Sequence, residues 1–504
     1  MEKKLFLAFS LSLLVLLAWS SFVSKPVNRQ QASIPAEQAL KSELPAAQTS
    51  QSVEVQAPTQ SEFEFSSGKS KILFIEPQAA IKEVIFGNYQ SSRFELKRSL
   101  LIGEKSWKYV RQDIDNKQVS YTYSDSEKVI TKKISFDNSN YSIYLEIKVQ
   151  NTSTSPLSLN IPLILGVLDL SSKQSRLSYQ DISVYDGEKT TYPNIKKDGI
   201  FTTLKFIGLR DRYFCAIIEP EEKTYSGLIK KLPSGETEVS IISPELKIAP
   251  GQEIKQNFHM YLGPQDLKLI KSANPAWQSV IYFGKFDIIA QILLKMLEFS
   301  YKITRNWGWA IIILSLAIYL ILYPLTLKQM RSMKEMQLLQ PQIKELQAQY
   351  KDNTQRLNKE TMELYRKHKV NPLGGCLPMV LQIPIFFALY QVLTRSIALK
   401  GSGFLWIKDL SDTDKLFPFP VEIPFLGKDF NVLPVLMAIG MFFQQKSSMS
   451  NMGSGSQEQQ KMMQILFPIM FGVIFYQMPS GLVLYWFINS ALTLIYQLKI
   501  SKSK

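Results

Sequence analysis

Hydrophobic and polar positions divide the chain into blocks of different period. Residues 5–23 form one apolar run behind the basic start Met1-Glu2-Lys3-Lys4. From residue 62 to about 264 the period is two. Val119-Ser120-Tyr121-Thr122-Tyr123 alternates, as do residues 141–149 after the turn Asp137-Asn138-Ser139-Asn140. Such runs, punctuated by Gly, Pro, Asn and Asp, predict a β-sandwich of about 200 residues. Between residues 275 and 302, Asp287, Gln291, Lys295, Glu298 and Lys302 recur at steps of four and three. Ile288, Ile289, Ile292, Leu293, Met296 and Leu297 fill the other face, as in an amphipathic helix. That helix either lies in a membrane interface, which its place just before a span favours, or packs on the sandwich.

Apolar runs return at about 306–327, 374–395, 431–447, 462–478 and 481–498. The first has about 20 residues, roughly 30 Å as a helix, enough to cross hydrocarbon. The last three have about 14–17 residues without their flanks, or roughly 21–26 Å, which predicts a locally thinned bilayer. Between the first two lies a charged segment, residues 328–370. Met330, Met333, Leu339, Ile343 and Leu346 mark one stripe there, and Leu357, Leu364 and Tyr365 begin another. With a turn at Lys351-Asp352-Asn353-Thr354, this predicts an antiparallel helical hairpin.

The expected fold is therefore a polytopic α-helical membrane protein of six spans. It has a five-helix core, a large external β-sandwich and a cytoplasmic helical hairpin. The expected divisions are an anchor helix at 1–23, a linker at 24–61 and the β domain at 62–274. An interfacial helix at 275–303 and the core at 304–500 complete the chain. Residues 1–23 could be a cleaved signal peptide or a retained anchor. Ala18-Trp19-Ser20 is a poor cleavage site and the run is long for a signal peptide, which favours retention. The linker is rich in Gln, Ala, Ser and Pro and predicts disorder.

Charge sets the orientation. The chain of 504 residues carries 58 Lys and Arg against 43 Asp and Glu, a formal charge of +15. Basic residues dominate the hairpin, which belongs in the cytoplasm by the positive-inside rule. The balanced loop 396–431 belongs outside, and both termini then fall inside. No basic stripe interleaved with aromatics is present, so direct DNA binding is not expected, while a ribosome contact stays open. Two histidines, His259 and His368, and two cysteines, Cys215 and Cys376, offer little for a metal site, triad or disulfide framework. No nucleotide-binding motif occurs, and no cofactor is expected.

Several strings carry a family resemblance: Asn306-Trp307-Gly308, Tyr323-Pro324-Leu325-Thr326, Leu339-Gln340-Pro341, and the run from Val370-Asn371-Pro372 to Gly374-Gly375-Cys376. Others are Gln382-Ile383-Pro384, Met441-Phe442-Phe443-Gln444-Gln445-Lys446 and Pro479-Ser480-Gly481, with Tyr261-Leu262-Gly263-Pro264 closing the β region. In this order they resemble the Gram-negative, six-span form of the YidC membrane protein insertase family. The resemblance implies an inner-membrane insertase and chaperone, not an enzyme. It would insert and fold integral membrane proteins through a hydrophilic groove open to lipid, alone or with the Sec translocon. Its partners would be nascent membrane proteins, the Sec translocon, lipid and, as a further option, the ribosome. Its β domain would be a periplasmic β-supersandwich. One departure stands out: Tyr319 occupies the position where the family commonly carries a groove Arg.

The expected groove residues are Ser315 and Tyr319, one helical turn apart, with Gln382, Gln445, Tyr485, Trp486 and Asn489. For each, an interhelical hydrogen bond or aromatic packing competes with the groove role. Lys351, Asp352 and Arg356 are the expected hairpin contacts. A transporter would need charged spans or an internal repeat, neither of which is seen. A membrane enzyme would need a nucleophile–base or acidic pair, and a periplasmic scaffold would depend wholly on its sandwich.

Overall fold

The computed structural model describes residues 61–502 except 103–106, 116, 138, 170–179, 223, 351–352, 369, 371–376, 424–425 and 450–456. The expected anchor and all but the last residue of the expected linker lie outside the described residues.

Alternation builds the β domain. In Ser142–Asn151, Ile143, Leu145, Ile147 and Val149 are buried while Tyr144, Glu146 and Lys148 face out. That strand sits inside a nine-stranded antiparallel sheet. The sheet's order runs Thr190–Thr191, Asp181–Tyr185, Phe206–Arg210, Phe214–Pro220, Glu253–Pro264, Ser142–Asn151, Lys128–Asp137, Gln118–Ser124, Val110–Ile114. Two four-stranded sheets meet edge to edge through Leu100 N–H to the Ile164 carbonyl, 2.8 Å, and Ile164 N–H to the Leu101 carbonyl, 3.1 Å. Apolar side chains of these three sheets and of the short pair Leu157–Leu159 and Leu246–Ile248 form one core, in which Phe86 stacks on Phe214 at 4.3 Å. Each such fully buried side chain contributes roughly 1.5–3 kcal/mol.

One inward position is not apolar. Lys132 lies between Ile130 and Ile134, fully buried, and its Nζ donates to the carbonyls of Ala79 and Leu100. Burial pushes its amine down to about 7. An unfolded chain keeps that proton to roughly pH 10.4, so above the folded value the unfolded state binds more protons and stability rises with pH. Denaturant titrations of the whole protein in detergent, read by tryptophan fluorescence, are expected to show that rise between about pH 7 and pH 10. Lys132→Met should remove it; an unchanged slope would mean the amine is not the group responsible.

Nine helices are described in the C-terminal half. They are α1 (Leu267–Ala273), α2 (Asp287–Thr304), α3 (Trp307–Leu338), α4 (Gln340–Gln349), α5 (Thr354–Lys367), α6 (Leu377–Arg395), α7 (Val432–Met449), α8 (Gln457–Phe475) and α9 (Ser480–Lys502). Residues 275–286, read from sequence as part of the amphipathic helix, contain two 3-10 turns, and the α-helix begins at Asp287. Pro275 and Gly284 account for the late start, because neither favours a helix interior. Helix α2 has two apolar flanks: Ala290, Leu293 and Leu297 are buried, whereas Ile288, Ile292, Phe299 and Ile303 are exposed.

Among the described residues, Trp307–Met336 and Ser480–Lys499 are long and apolar enough to cross a membrane, and Gln464–Phe475 is a shorter apolar helix. Helix α3 does not stop where the apolar run ends but continues into the first arm of the hairpin. Met336, Leu339, Ile343, Tyr365 and Val370 form a small core where the arms meet. At its tip the Asn353 side chain caps α5 by accepting from Arg356 N–H at 3.0 Å. Lys351 and Asp352 lie outside the described residues, and Arg356 stacks over Tyr350 at 5.2 Å.

Candidate functional site

Helices α3, α6, α7 and α9 pack together around one buried apolar cluster, with α2 alongside. Local chemistry fixes their ends. Asn306 caps α3 by accepting from Gly308 N–H, 2.9 Å, and Trp309 N–H, 3.2 Å, while Trp307 stacks on Tyr301 at 4.0 Å. Gly308 admits the Phe404 ring, since a Cβ there would lie 2.1 Å from it. At the start of α9, Ser480 N–H donates to the Asp412 carbonyl and Gly481 N–H to the Leu410 carbonyl. The loop between α6 and α7 is thus stitched to the start of α9.

Within this frame the expected groove residues have different surroundings. Gln382 Nε2 donates to the Tyr485 hydroxyl at 2.5 Å, joining α6 to α9 across 103 positions of sequence, and Tyr485 is fully buried. Trp486 packs with Phe386, Phe471 and Phe475 at 5.3–5.8 Å, an aromatic cluster shared by α6, α8 and α9. Ser315 is 1% exposed and its hydroxyl donates to the Ile311 carbonyl one turn back, at 2.7 Å. Its polarity is satisfied within its own helix. Tyr319 is half-buried with its hydroxyl in no hydrogen bond, and the half-buried Gln445 has an Oε1 likewise without a partner. Asn489 is half-buried on α9, where its carbonyl accepts from Thr493. Gln382 and Tyr485 are therefore brought into contact, Trp486 belongs to the aromatic cluster, and Ser315 lies in helix packing.

Sequence reasoning missed the joint between the β domain and the helical core. Asp181 Oδ2 accepts from Arg210 Nη2 of the neighbouring strand, 2.9 Å, and from Arg395 Nη1 in the last turn of α6, 2.8 Å. Both guanidiniums also reach the Tyr282 carbonyl, just ahead of α2. Burial opposes the charged Asp181, but the two guanidiniums outweigh it and hold the carboxyl below its ordinary range. Beside this triad, Arg212 donates to the carbonyls of Thr394, 2.9 Å, and Ser411, 2.6 Å, and the Tyr213 hydroxyl to Ser411 Oγ. The Asp211 carboxyl, pushed up to about 6 by burial, accepts from the backbone N–H groups of Tyr213 and Phe214. No motif announces these pairs, which lie up to 214 positions apart.

A β domain of several antiparallel sheets, keyed by buried arginines to a bundle of apolar helices of which two among the described residues are long and apolar enough to cross a membrane, fits the class of helical membrane proteins that carry an attached β domain. Family comparisons narrow this class. Residues 299–504 match the family described as 60Kd inner membrane protein, and residues 97–296 match the YidC periplasmic domain. The membrane protein insertase YidC of Pelobacter propionicus is 35% identical over 397 residues, covering 77% of this chain and 72% of that one. The Geobacter metallireducens insertase is 36% identical over 398 residues, covering 77% and 71%. Among solved structures, an active YidC insertase with its first transmembrane domain resolved covers 88% of this chain and 93% of its own, at 19% identity and a TM-score of 0.42. The chain belongs to the YidC membrane protein insertase family. It is an inner-membrane insertase with a periplasmic β-sandwich domain and a helical C-terminal part.

Proposed function

We propose that insertion proceeds through a polar groove between α3, α6, α7 and α9, with Tyr319, Gln382, Gln445 and Asn489 as its wetted lining and the buried Tyr485 hydroxyl holding Gln382 from behind. The observation that carries this reading is the pair of polar atoms without partners, Tyr319 hydroxyl and Gln445 Oε1, inside otherwise apolar helices. Such groups are costly in a dry interior and find hydrogen bonds where water or substrate reaches them. Moving a charged side chain across a bilayer centre costs roughly 2.5–3.5 kcal/mol on the insertion scale, and a wet notch shortens the dehydrated path. Partitioning of the substrate's own apolar segment drives the process.

In this reading the core helices span the membrane with the anchor helix as a sixth span, and both termini are cytoplasmic. The exposed flank of α2, with Ile288, Ile292, Phe299 and Ile303, lies against lipid in the outer interface. The hairpin tip around Lys351, Asp352 and Arg356 meets incoming substrate or the ribosome, and the Sec translocon is a partner for larger substrates.

The test is reconstitution of the purified protein in liposomes with a short single-span substrate and no translocon. Insertion well above protein-free liposomes is expected. Insertion only when a translocon is added would reject an autonomous groove.

A further inference from the structure

Three tyrosines line up at the α3–α9 contact. Tyr319 and Tyr323 are one turn apart, with ring centroids at 6.4 Å, and Tyr323 meets Tyr496 of α9 edge-on at 5.3 Å. Arg331 lies eight positions beyond Tyr323 on the same helix, at the end of the row nearest the hairpin. Above them the Tyr319 hydroxyl is buried without a partner. No Asp, Glu, Lys or Arg occurs from Trp307 to Leu327 or from Ser480 to Leu498. The row therefore leads from a cation at one end to a neutral hydroxyl at the other.

We infer that Tyr319, Tyr323 and Tyr496 form a neutral hydroxyl track that sets the substrate class, accepting polar tails of either charge sign. The inference rests on the groove reading above. Its chemistry lies in the hydroxyl, which both donates and accepts a hydrogen bond, whereas a guanidinium only donates and a carboxylate only accepts. A tyrosine row meets a substrate carboxylate as donor and a substrate ammonium as acceptor, and a fixed charge at mid-depth would favour one and repel the other. Selection by charge is then confined to Arg331 at the track's end, where solvent screens it.

The experiment uses the whole protein in liposomes without a membrane potential. It compares single-span substrates whose short tails carry two Asp, two Lys or only Ser and Asn. Wild type is expected to insert the acidic and basic tails within about threefold of each other. Tyr319→Phe and Tyr496→Phe should slow both charged tails about equally, whereas Tyr319→Arg should favour acidic over basic tails by about tenfold. In parallel, Gln445→Cys in a background lacking Cys215 and Cys376 reports water in the groove through a soluble maleimide. If that cysteine labels and wild type already separates the two signs by more than about tenfold, the track is wrong and the groove stands. Labelling without any slowing in either Phe variant would likewise overturn the track alone. If the cysteine stays unlabelled and tails make no difference, the groove reading falls and the track with it.

Discussion

Asp181→Asn is expected to destabilise the protein by about 3 kcal/mol, the lower end of what removing one partner of a buried pair costs. The lower end applies because the Asp181 side chain keeps 39% exposure, while Arg210 keeps 3% and Arg395 9%. The substitution leaves two guanidiniums side by side with one neutral amide, so repulsion adds to lost attraction. The Arg395 side of the joint should yield first, because Arg210 still holds the Tyr282 carbonyl at 2.5 Å, against 3.4 Å for Arg395. Proteolysis of the protein in detergent should then cut between the β domain and α6 sooner than in wild type. Linkage gives a second signature. Asp181 titrates below its ordinary range, so wild type should lose the pair's contribution as pH falls through and below about 4, and the variant should lack that loss. Equal protease resistance and equal acid sensitivity in both proteins would show the triad to be ornamental.

The second large effect separates activity from stability at the Gln382–Tyr485 bond. Gln382→Leu alone orphans a buried hydroxyl and should cost about 1–3 kcal/mol. Adding Tyr485→Phe removes the other partner, and stability should return to within about 0.5 kcal/mol of wild type, since an apolar pair of similar shape tolerates the site. Insertion should behave differently. The double variant has a drier wall between α6 and α9, and polar-tailed substrates are expected to insert about tenfold more slowly, a barrier increase of about 1.4 kcal/mol. Purely apolar substrates should be unaffected. Parallel melting curves and liposome insertion assays read the two quantities; activity that recovers along with stability would make the bond purely structural.

Much of the architecture is legible from pattern. Alternation in residues 141–149 marks a strand because successive side chains face opposite sides, and the register then follows from which face is apolar. Gln382 and Tyr485 could be singled out because each is a polar group in an apolar run. Their contact could not, since it depends on how two helices 103 positions apart are rotated against each other. Lys132 is hidden for a related reason: a lysine in an alternating strand reads as an outward residue, and only the carbonyls of Ala79 and Leu100 make the inward position tenable. Ser315 illustrates the reverse, a polar residue whose hydroxyl folds back on its own helix at Ile311. The continuation of α3 past residue 327 is masked by a change of composition without a change of backbone.

That continuation has a mechanical meaning. At 32 residues, α3 is a single rod of roughly 48 Å that begins among the buried residues of the core and ends at the hairpin. Pro324 is its only proline, so the rod has one natural place to bend. Whatever seizes the hairpin therefore holds a lever whose fulcrum is Pro324 and whose far arm, Trp307 to Tyr323, carries Tyr319 and Tyr323. If insertion runs through the groove proposed above, a pull there tilts the wall along which a passenger slides, without any messenger between the two.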